Sequence, residues 1–145
     1  MRTWETAGTS HDDAYGLSAG PGDTGVGALD TTYLAPVSSI FGVINCSRPI
    51  NAGPQHYVLS AALRRLDQWV RRGRVSGGPH SPQLQASAGN PPLEIDRDAN
   101  GNALGGIRTP AVDAPILTLS GLGQTGGFCG IFGTTVPFDA PTLAT

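Results

Sequence analysis

The chain contains no lysine, and its nine basic residues are all arginine. Charged residues make up only 14% of the 145 positions, and the formal net charge is −2. Without an excess of positive charge there is no electrostatic basis for binding nucleic acid or an anionic membrane surface. No apolar run approaches the ~20 residues needed to cross a bilayer, and the N-terminus lacks the apolar segment of a signal peptide. The sequence therefore predicts neither a nucleic acid nor a membrane as partner, and it assigns no compartment.

Cysteine is almost as scarce, with Cys46 and Cys129 the only two in the chain. Two cysteines cannot complete a structural zinc site, which usually takes four ligands. They form a disulfide in an oxidising compartment or remain as two buried thiols elsewhere, and the sequence leaves both alternatives open. We expect no metal and no other cofactor.

Glycine (21 residues) and proline (12 residues) are abundant, so regular elements should be few. A helix is nevertheless clear over residues 54–72. Apolar residues recur there at helical spacing, Pro54 suits the first helical position, and Gly73 ends the helix. Part of its apolar face (Val58, Ala62, Leu66 and Trp69) should stay exposed unless a sheet covers it.

The predicted strands are short. Arg2–Ala7 reads as one strand, and Pro115–Leu119 as another. Leu93–Ile95 and Ala103–Arg108 flank Asn100-Gly101, a dipeptide that favours a hairpin with a type I′ turn. Two stretches rich in glycine, serine and proline, residues 16–32 and 74–92, read as a long loop and a linker.

His11 is the first candidate for chemistry, because it follows the predicted N-terminal strand and is flanked by hydroxyls and carboxylates. An imidazole on such a loop can take a proton from a serine hydroxyl, provided that a carboxylate fixes its tautomer. The alternative is a surface histidine hydrogen-bonded to Asp12 or Asp13. His56, at the start of the helix, is a second candidate base, although a capping or packing role fits it better.

Three motifs match catalytic or binding patterns in the wrong context. Gly16–Gly20 matches the G-x-S-x-G nucleophile elbow around Ser18, but it lacks the strand before and the helix after. Gly121–Gly126 matches a dinucleotide fingerprint without room for the βαβ unit. Asp96–Gly101 opens like a calcium loop, but Ile107 occupies the position of the bidentate acid.

Taken in order, several segments resemble the C-terminal third of a bacterial family of α/β hydrolase domain-containing proteins. They are Trp4–Asp12, Pro49–Tyr57, Ala62–Val70, Gly105–Pro110, Ile131–Gly133 and Pro137–Asp139. The resemblance implies an α/β fold class, with the chain an incomplete C-terminal fragment of an α/β-hydrolase fold. Residues 1–73 would hold the last strand, the His11 loop and the closing helix. Residues 74–92 would be a linker and residues 93–145 a hairpin-containing extension.

The resemblance also implies a function. The intact parent would hydrolyse a small-molecule ester or amide with His11 as general base. The serine nucleophile and the orienting acid would lie upstream, so the chain alone would be inactive. The alternative is a non-catalytic interaction module that docks through the amphipathic helix 54–72.

Overall fold

The computed structural model of the chain describes residues 3–18, 35–73, 81–87 and 94–144. Within these ranges the chain mixes helices with three two-stranded antiparallel sheets. Most of the predicted loop at 16–32 and more than half of the predicted linker at 74–92 lie outside the described residues.

The elements follow one another in short segments. The strands are β1 (Ser39–Ile40), β2 (Ile44–Asn45), β3 (Ala86–Ser87), β4 (Glu94–Ile95), β5 (Leu117–Ser120) and β6 (Thr134–Pro137). The long helix is Gln55–Arg72, and shorter helical segments are Ala14–Ser18, Pro110–Asp113, Gly127–Ile131 and Ala140–Leu143. The sheets pair β1 with β2, β3 with β4 and β5 with β6.

The β5–β6 hairpin is the longest sheet in the described residues, and it carries the first of two cores. Apolar and polar residues alternate along β5, so Leu117 and Leu119 point to the same side and are almost fully buried. They pack with Ala7, Ala103 and Val112. The predicted strand at Pro115–Leu119 is thus confirmed within two residues, whereas β6 was not predicted.

The second core lies around Phe132, which is 1% exposed and packs with Ala14, Ile40 and Ile50. Cys46 and Cys129 border this cluster and are joined by a disulfide that spans 83 residues of sequence. The structure therefore decides between the two alternatives for the cysteines. The disulfide links the β2 end to the segment before β6.

The N-terminal strand predicted at Arg2–Ala7 is wrong in extent. Within the described residues of that range only Thr6 pairs, through a parallel bridge to Ile107. Flanking bonds run from the Ala7 N–H to the Ile107 carbonyl (3.0 Å) and from the Ile107 N–H to the Glu5 carbonyl (2.7 Å). The pairing ends at Gly8, whose φ of 75° turns the chain away. A Cβ there would lie 2.8 Å from Val112 Cγ1, so a larger residue is excluded.

The predicted hairpin around Asn100-Gly101 is present, but its turn and its strands differ from expectation. Arg97 bridges Ala103, and the Gly101 N–H donates to the Asp98 carbonyl at 3.0 Å. Gly101 has a positive φ and Asn100 does not, which excludes the type I′ turn and fits a type I turn followed by a left-handed glycine. Moreover, β4 pairs with β3 rather than with residues 103–108.

The long helix confirms the clearest prediction from the sequence, starting one residue later than expected. Pro54 is its N-cap rather than its first helical residue, and Gly73 ends it with φ 61° while donating to the Trp69 carbonyl. No residue of this helix is buried, and Leu66 and Trp69 are each 50% exposed. Leu59, Leu63 and Val70 are more exposed still. The helix therefore contributes nothing to either core and keeps an apolar surface open to solvent.

Candidate active site

His11 lies on the loop that leaves Gly8, and hydrogen bonds hold its backbone from two sides. Its N–H donates to the Ile131 carbonyl at 3.1 Å, and its carbonyl accepts from Gln55 Nε2 at 3.0 Å. The first bond ties the loop to the short helix before β6, and the second ties it to the start of the long helix. Because only the backbone is used, the side chain is left exposed.

The imidazole of His11 makes no hydrogen bond to any described residue. The Asp12 carboxylate accepts from the Asp13 N–H at 2.9 Å, and Asp13 Oδ1 accepts from the Gly16 N–H at 2.8 Å. Both acids are thus turned to their own backbone, so the alternative of a histidine bonded to Asp12 or Asp13 is not what the structure shows. An orienting acid would have to come from outside the described residues.

Asn51 is the residue that connects this loop to the rest of the molecule, and sequence analysis did not place it in the candidate site. It is fully buried, and its Nδ2 donates to the Gly8 carbonyl at 3.1 Å and to the Ser120 carbonyl at 3.0 Å. Its Oδ1 accepts from the Gly53 N–H at 2.6 Å. One amide therefore fixes the start of the His11 loop against the end of β5. An amide side chain three residues before the predicted helix start was the only sequence signal for it.

His56 occupies the first turn of the long helix, where it is half-buried between aromatic rings. Its ring stacks on Tyr15 with centroids 3.9 Å apart and planes inclined by 15°, and it also contacts Tyr57 at 3.8 Å. Gln55, which precedes it, bonds the His11 carbonyl. Both candidate histidines thus lie at the same end of the long helix, one exposed and the other packed.

Asp13 is the second residue that sequence reasoning missed, having been considered only as a partner for His11. It is 2% exposed, and its Oδ2 has no hydrogen-bond partner among the described residues. Burial raises the pKa of this carboxyl above its ordinary value, while the Gly16 N–H and the charge of His56 act in the opposite direction. The carboxylate is therefore held in an environment that favours its neutral form.

The raised pKa of Asp13 predicts that Asp13→Asn stabilises the protein at neutral pH. The folded state binds the Asp13 proton more tightly than the unfolded state, so the stability from this group is fully present below the unfolded pKa of 3.8. It is lost as the pH rises through the higher folded pKa. An asparagine stays neutral and can still accept from the Gly16 N–H. Urea unfolding from pH 3 to pH 8 should show a gain for the variant that disappears toward the acidic end.

Asp139→Asn is the matched control, with the opposite sign. Hydrogen bonds from Thr142 lower the pKa of exposed Asp139, so its contribution is present above the unfolded pKa and lost as the pH falls. This variant should be less stable than the wild type at neutral pH and approach it in acid. Parallel pH profiles for the two variants would contradict the assignment at Asp13.

A comparison with known protein families assigns the whole chain to one of them. The family model described as "alpha/beta hydrolase domain" matches residues 1–145. The chain belongs to the α/β hydrolase domain family. No curated protein and no solved structure matches it.

Membership in the α/β hydrolase domain family makes the protein a hydrolase-family member and implies a small-molecule substrate. Its mixture of helices and strands is consistent with the α/β class. The antiparallel sheets do not by themselves reproduce a parallel hydrolase sheet, since the bridge from Thr6 to Ile107 is the one parallel pairing among the described residues.

Ser18, the candidate for a nucleophile elbow in this hydrolase-family chain, does not lie on the strand-to-helix turn that an elbow requires. It ends the short helix Ala14–Ser18, and its hydroxyl donates to the Ala14 carbonyl. A nucleophile elbow places the serine on a sharp turn between a strand and a helix. Ser10, nearer to His11, donates to the Asp12 carbonyl at 2.6 Å. Neither hydroxyl is bonded to a histidine in the structure.

The dinucleotide-like motif Gly121–Gly126 and the calcium-loop-like motif Asp96–Gly101 form ordinary connecting segments in the structure. Gly121–Gly126 connects β5 to the Gly127–Ile131 segment before an antiparallel β6, so it is not a dinucleotide loop. Asp98 Oδ1 accepts from the N–H groups of Asn100 and Asn102 at 2.9 Å each, as in a hairpin turn.

In the part of the chain that the structure describes, no three His, Cys, Asp or Glu residues are grouped to hold a metal ion. None of the described helices has the length and apolar character of a membrane span.

Proposed function

We propose that the chain supplies the general base, His11, of a serine-type ester or amide hydrolase. The single observation that carries the proposal is the exposed His11 ring on a loop whose backbone is held at both its N–H and its carbonyl. A base must be fixed in place and yet accessible to a hydroxyl proton. The family match supports the class of reaction.

In this proposal the nucleophilic serine and the orienting acid lie outside these 145 residues. The serine attacks the substrate carbonyl while His11 takes its proton, and His11 then gives the proton to the leaving group. The acid would hold the ring that Asp12 and Asp13 leave unbonded. Donors that stabilise the oxyanion would also come from the complementary part. Residues 1–145 alone would then hydrolyse no ester.

The long helix supports the same proposal, because its exposed face needs a covering surface. Leu63, Leu66 and Trp69 are each at least 50% exposed, and contiguous exposed apolar surface marks an interaction site. In an α/β fold such helices cover a sheet. We propose that the sheet bearing the serine packs on this face and thereby brings its hydroxyl to His11.

The same face supports a second candidate, a non-catalytic module that docks on a partner through residues 54–72. The two candidates differ in what His11 does. A docking module needs the helix face and not the imidazole, whereas the hydrolase needs both.

The test compares the chain alone with the chain extended by the in-frame sequence upstream of its first codon. Each is assayed on a chromogenic short-chain ester and with a fluorophosphonate that labels activated serines. We expect turnover and labelling only in the extended protein. There, His11→Gln should lower kcat by about 10³-fold or more, since the serine loses its base.

Two matched variants make the result specific. His56→Gln tests the second histidine and should retain turnover, because that ring is packed rather than exposed. Ser18→Ala should change nothing. Turnover by the chain alone that disappears in Ser18→Ala would overturn the proposal. An extended protein that binds a partner but neither hydrolyses esters nor takes the label favours the docking module.

A further inference from the structure

A cavity of about 150 Å³ lies beside the His11 loop, between the N-terminal segment, the Arg97 bridge and the end of β5. Its apolar wall is formed by Leu84, Ile95, Ala103, Leu119 and Leu122. Thr6, Gly8 and Thr9 line it on the side that leads to His11. A dry cavity of about 150 Å³ with such a lining holds a molecule the size of benzene. This space therefore fits about six carbon atoms.

Two polar side chains stand at the same cavity, Arg97 and Ser120. Arg97 Nη2 donates to Ser120 Oγ at 3.1 Å, and Nη1 donates to the Gly101 carbonyl at 2.8 Å. These bonds fix the guanidinium in one orientation. The other three of its five N–H groups donate to no described residue. The Ser120 hydroxyl accepts a second bond from the Leu122 N–H at 3.1 Å, and no described residue accepts its proton.

Arg97 is exposed, and it forms a salt bridge with no acid within the part of the chain described. Its neighbours in sequence are acidic, but both are engaged elsewhere. Asp98 lies 3.6 Å from Arg108, and Asp96 accepts from Ser87. Salt bridges form at Arg71 and Arg108 but not at Arg97 among the described residues. A fixed guanidinium with free N–H groups recognises a carboxylate, often through two parallel bonds.

We propose that this cavity binds a short-chain monocarboxylate. The carboxylate pairs with Arg97 and the Ser120 hydroxyl, and a tail of up to about six carbons enters the apolar space. Inorganic phosphate fits this site less well, because it would leave the five apolar side chains uncovered. The inference is independent of the proposed hydrolysis, since binding requires neither a serine nor turnover.

A homologous series of acids tests the shape of the site. Acetate, butanoate, hexanoate and octanoate are titrated into the chain while the amide resonances of Thr6, Thr9 and Leu122 are followed by NMR. Each added methylene should tighten binding about fourfold until the cavity is filled. Affinity should stop rising between hexanoate and octanoate. Hexanol, which has the tail without the charge, should bind at least about tenfold more weakly than hexanoate.

Two variants separate the charged part of the site from the apolar part. Arg97→Gln should weaken hexanoate binding about tenfold or more while keeping the stem of the side chain. Leu122→Trp, at a position 63% exposed, should block the cavity and weaken hexanoate more than acetate. The matched controls are Arg71→Gln, on the exposed side of the long helix, and Leu143→Trp, at another exposed leucine. Both should bind as the wild type does.

Three results would overturn the proposal. The first is that hexanoate shifts none of the three amides in a folded chain. The second is that Arg97→Gln binds hexanoate as tightly as the wild type does. The third is that phosphate displaces hexanoate at equal concentration, which would make the site a general anion site.

Discussion

Replacement of both Cys46 and Cys129 by serine should lower the free energy of unfolding by about 4 kcal/mol. The disulfide closes a loop of 83 residues, and a cross-link over that length removes a large share of the conformational entropy of the unfolded chain. Domains of this size are stable by only about 5–15 kcal/mol. Urea unfolding of the oxidised protein and of the double variant, compared at their extrapolated free energies, measures the difference.

Reduction of the wild type provides the control for packing. In excess dithiothreitol both proteins lack the cross-link, so their unfolding free energies should converge to within about 1 kcal/mol. Any remaining gap reports the contacts of the two side chains beside Phe132. Equal stability of the oxidised wild type and the double variant would show that the disulfide contributes nothing. A wild type that melts identically with and without reductant would show the same.

The parts of the fold that were predictable are those that local sequence determines. The long helix could be located because apolar spacing, Pro54 and Gly73 all lie within one continuous segment. The strand at β5 was visible for the same reason, since Pro115–Leu119 is one short apolar run. Such signals need no knowledge of which segment packs against which.

The N-terminal strand was predicted wrongly because its partner lies far along the chain. Nothing in the sequence from Arg2 to Ala7 shows that, among the described residues of that range, only Thr6 pairs, because its partner Ile107 lies about a hundred residues away. The pairing of β4 with β3 is local by contrast, and it was missed because Asn100-Gly101 favoured a partner on the C-terminal side of β4. The turn at Asn100-Gly101 was mistaken because an Asn-Gly pair suits two arrangements. In a type I′ turn both residues have positive φ, whereas in a type I turn followed by a left-handed glycine only Gly101 does.

In the candidate site, too, features set by local sequence were predictable and features that depend on distant residues were not. His11 was found because a histidine after an extended segment is a local pattern. Neither the burial of Asp13 nor the bonds of Asn51 could be read from the sequence. The charge that acts on Asp13 belongs to His56, and a carbonyl that Asn51 bonds belongs to Ser120, both in distant segments. The cavity beside Arg97 likewise arises only when three separate parts of the chain meet.

The Asn51→Ala substitution should cost about 4 kcal/mol of stability and should also alter the environment of His11. The side chain is fully buried and makes three hydrogen bonds, to Gly8, Ser120 and Gly53. Its removal leaves two carbonyls and one N–H buried without those partners, and each such loss costs about 1–3 kcal/mol. Because the Gly8 carbonyl is where the His11 loop begins, the ring should move with it. Urea unfolding gives the first effect, and the His11 imidazole proton resonances give the second.

Asn102→Ala separates loss of stability from loss of loop position. Asn102 is equally buried and bonds the Leu117 carbonyl (3.2 Å) and the Leu119 N–H (2.8 Å), so its removal should destabilise the protein to a similar degree. It has no bond to the His11 loop, and the His11 resonances should therefore stay at their wild-type positions. If both variants shift those resonances equally, the change reflects general loosening of the fold. If neither does, Asn51 does not position the loop. A shift confined to Asn51→Ala would show that this buried amide, far from His11 in sequence, sets where the imidazole lies.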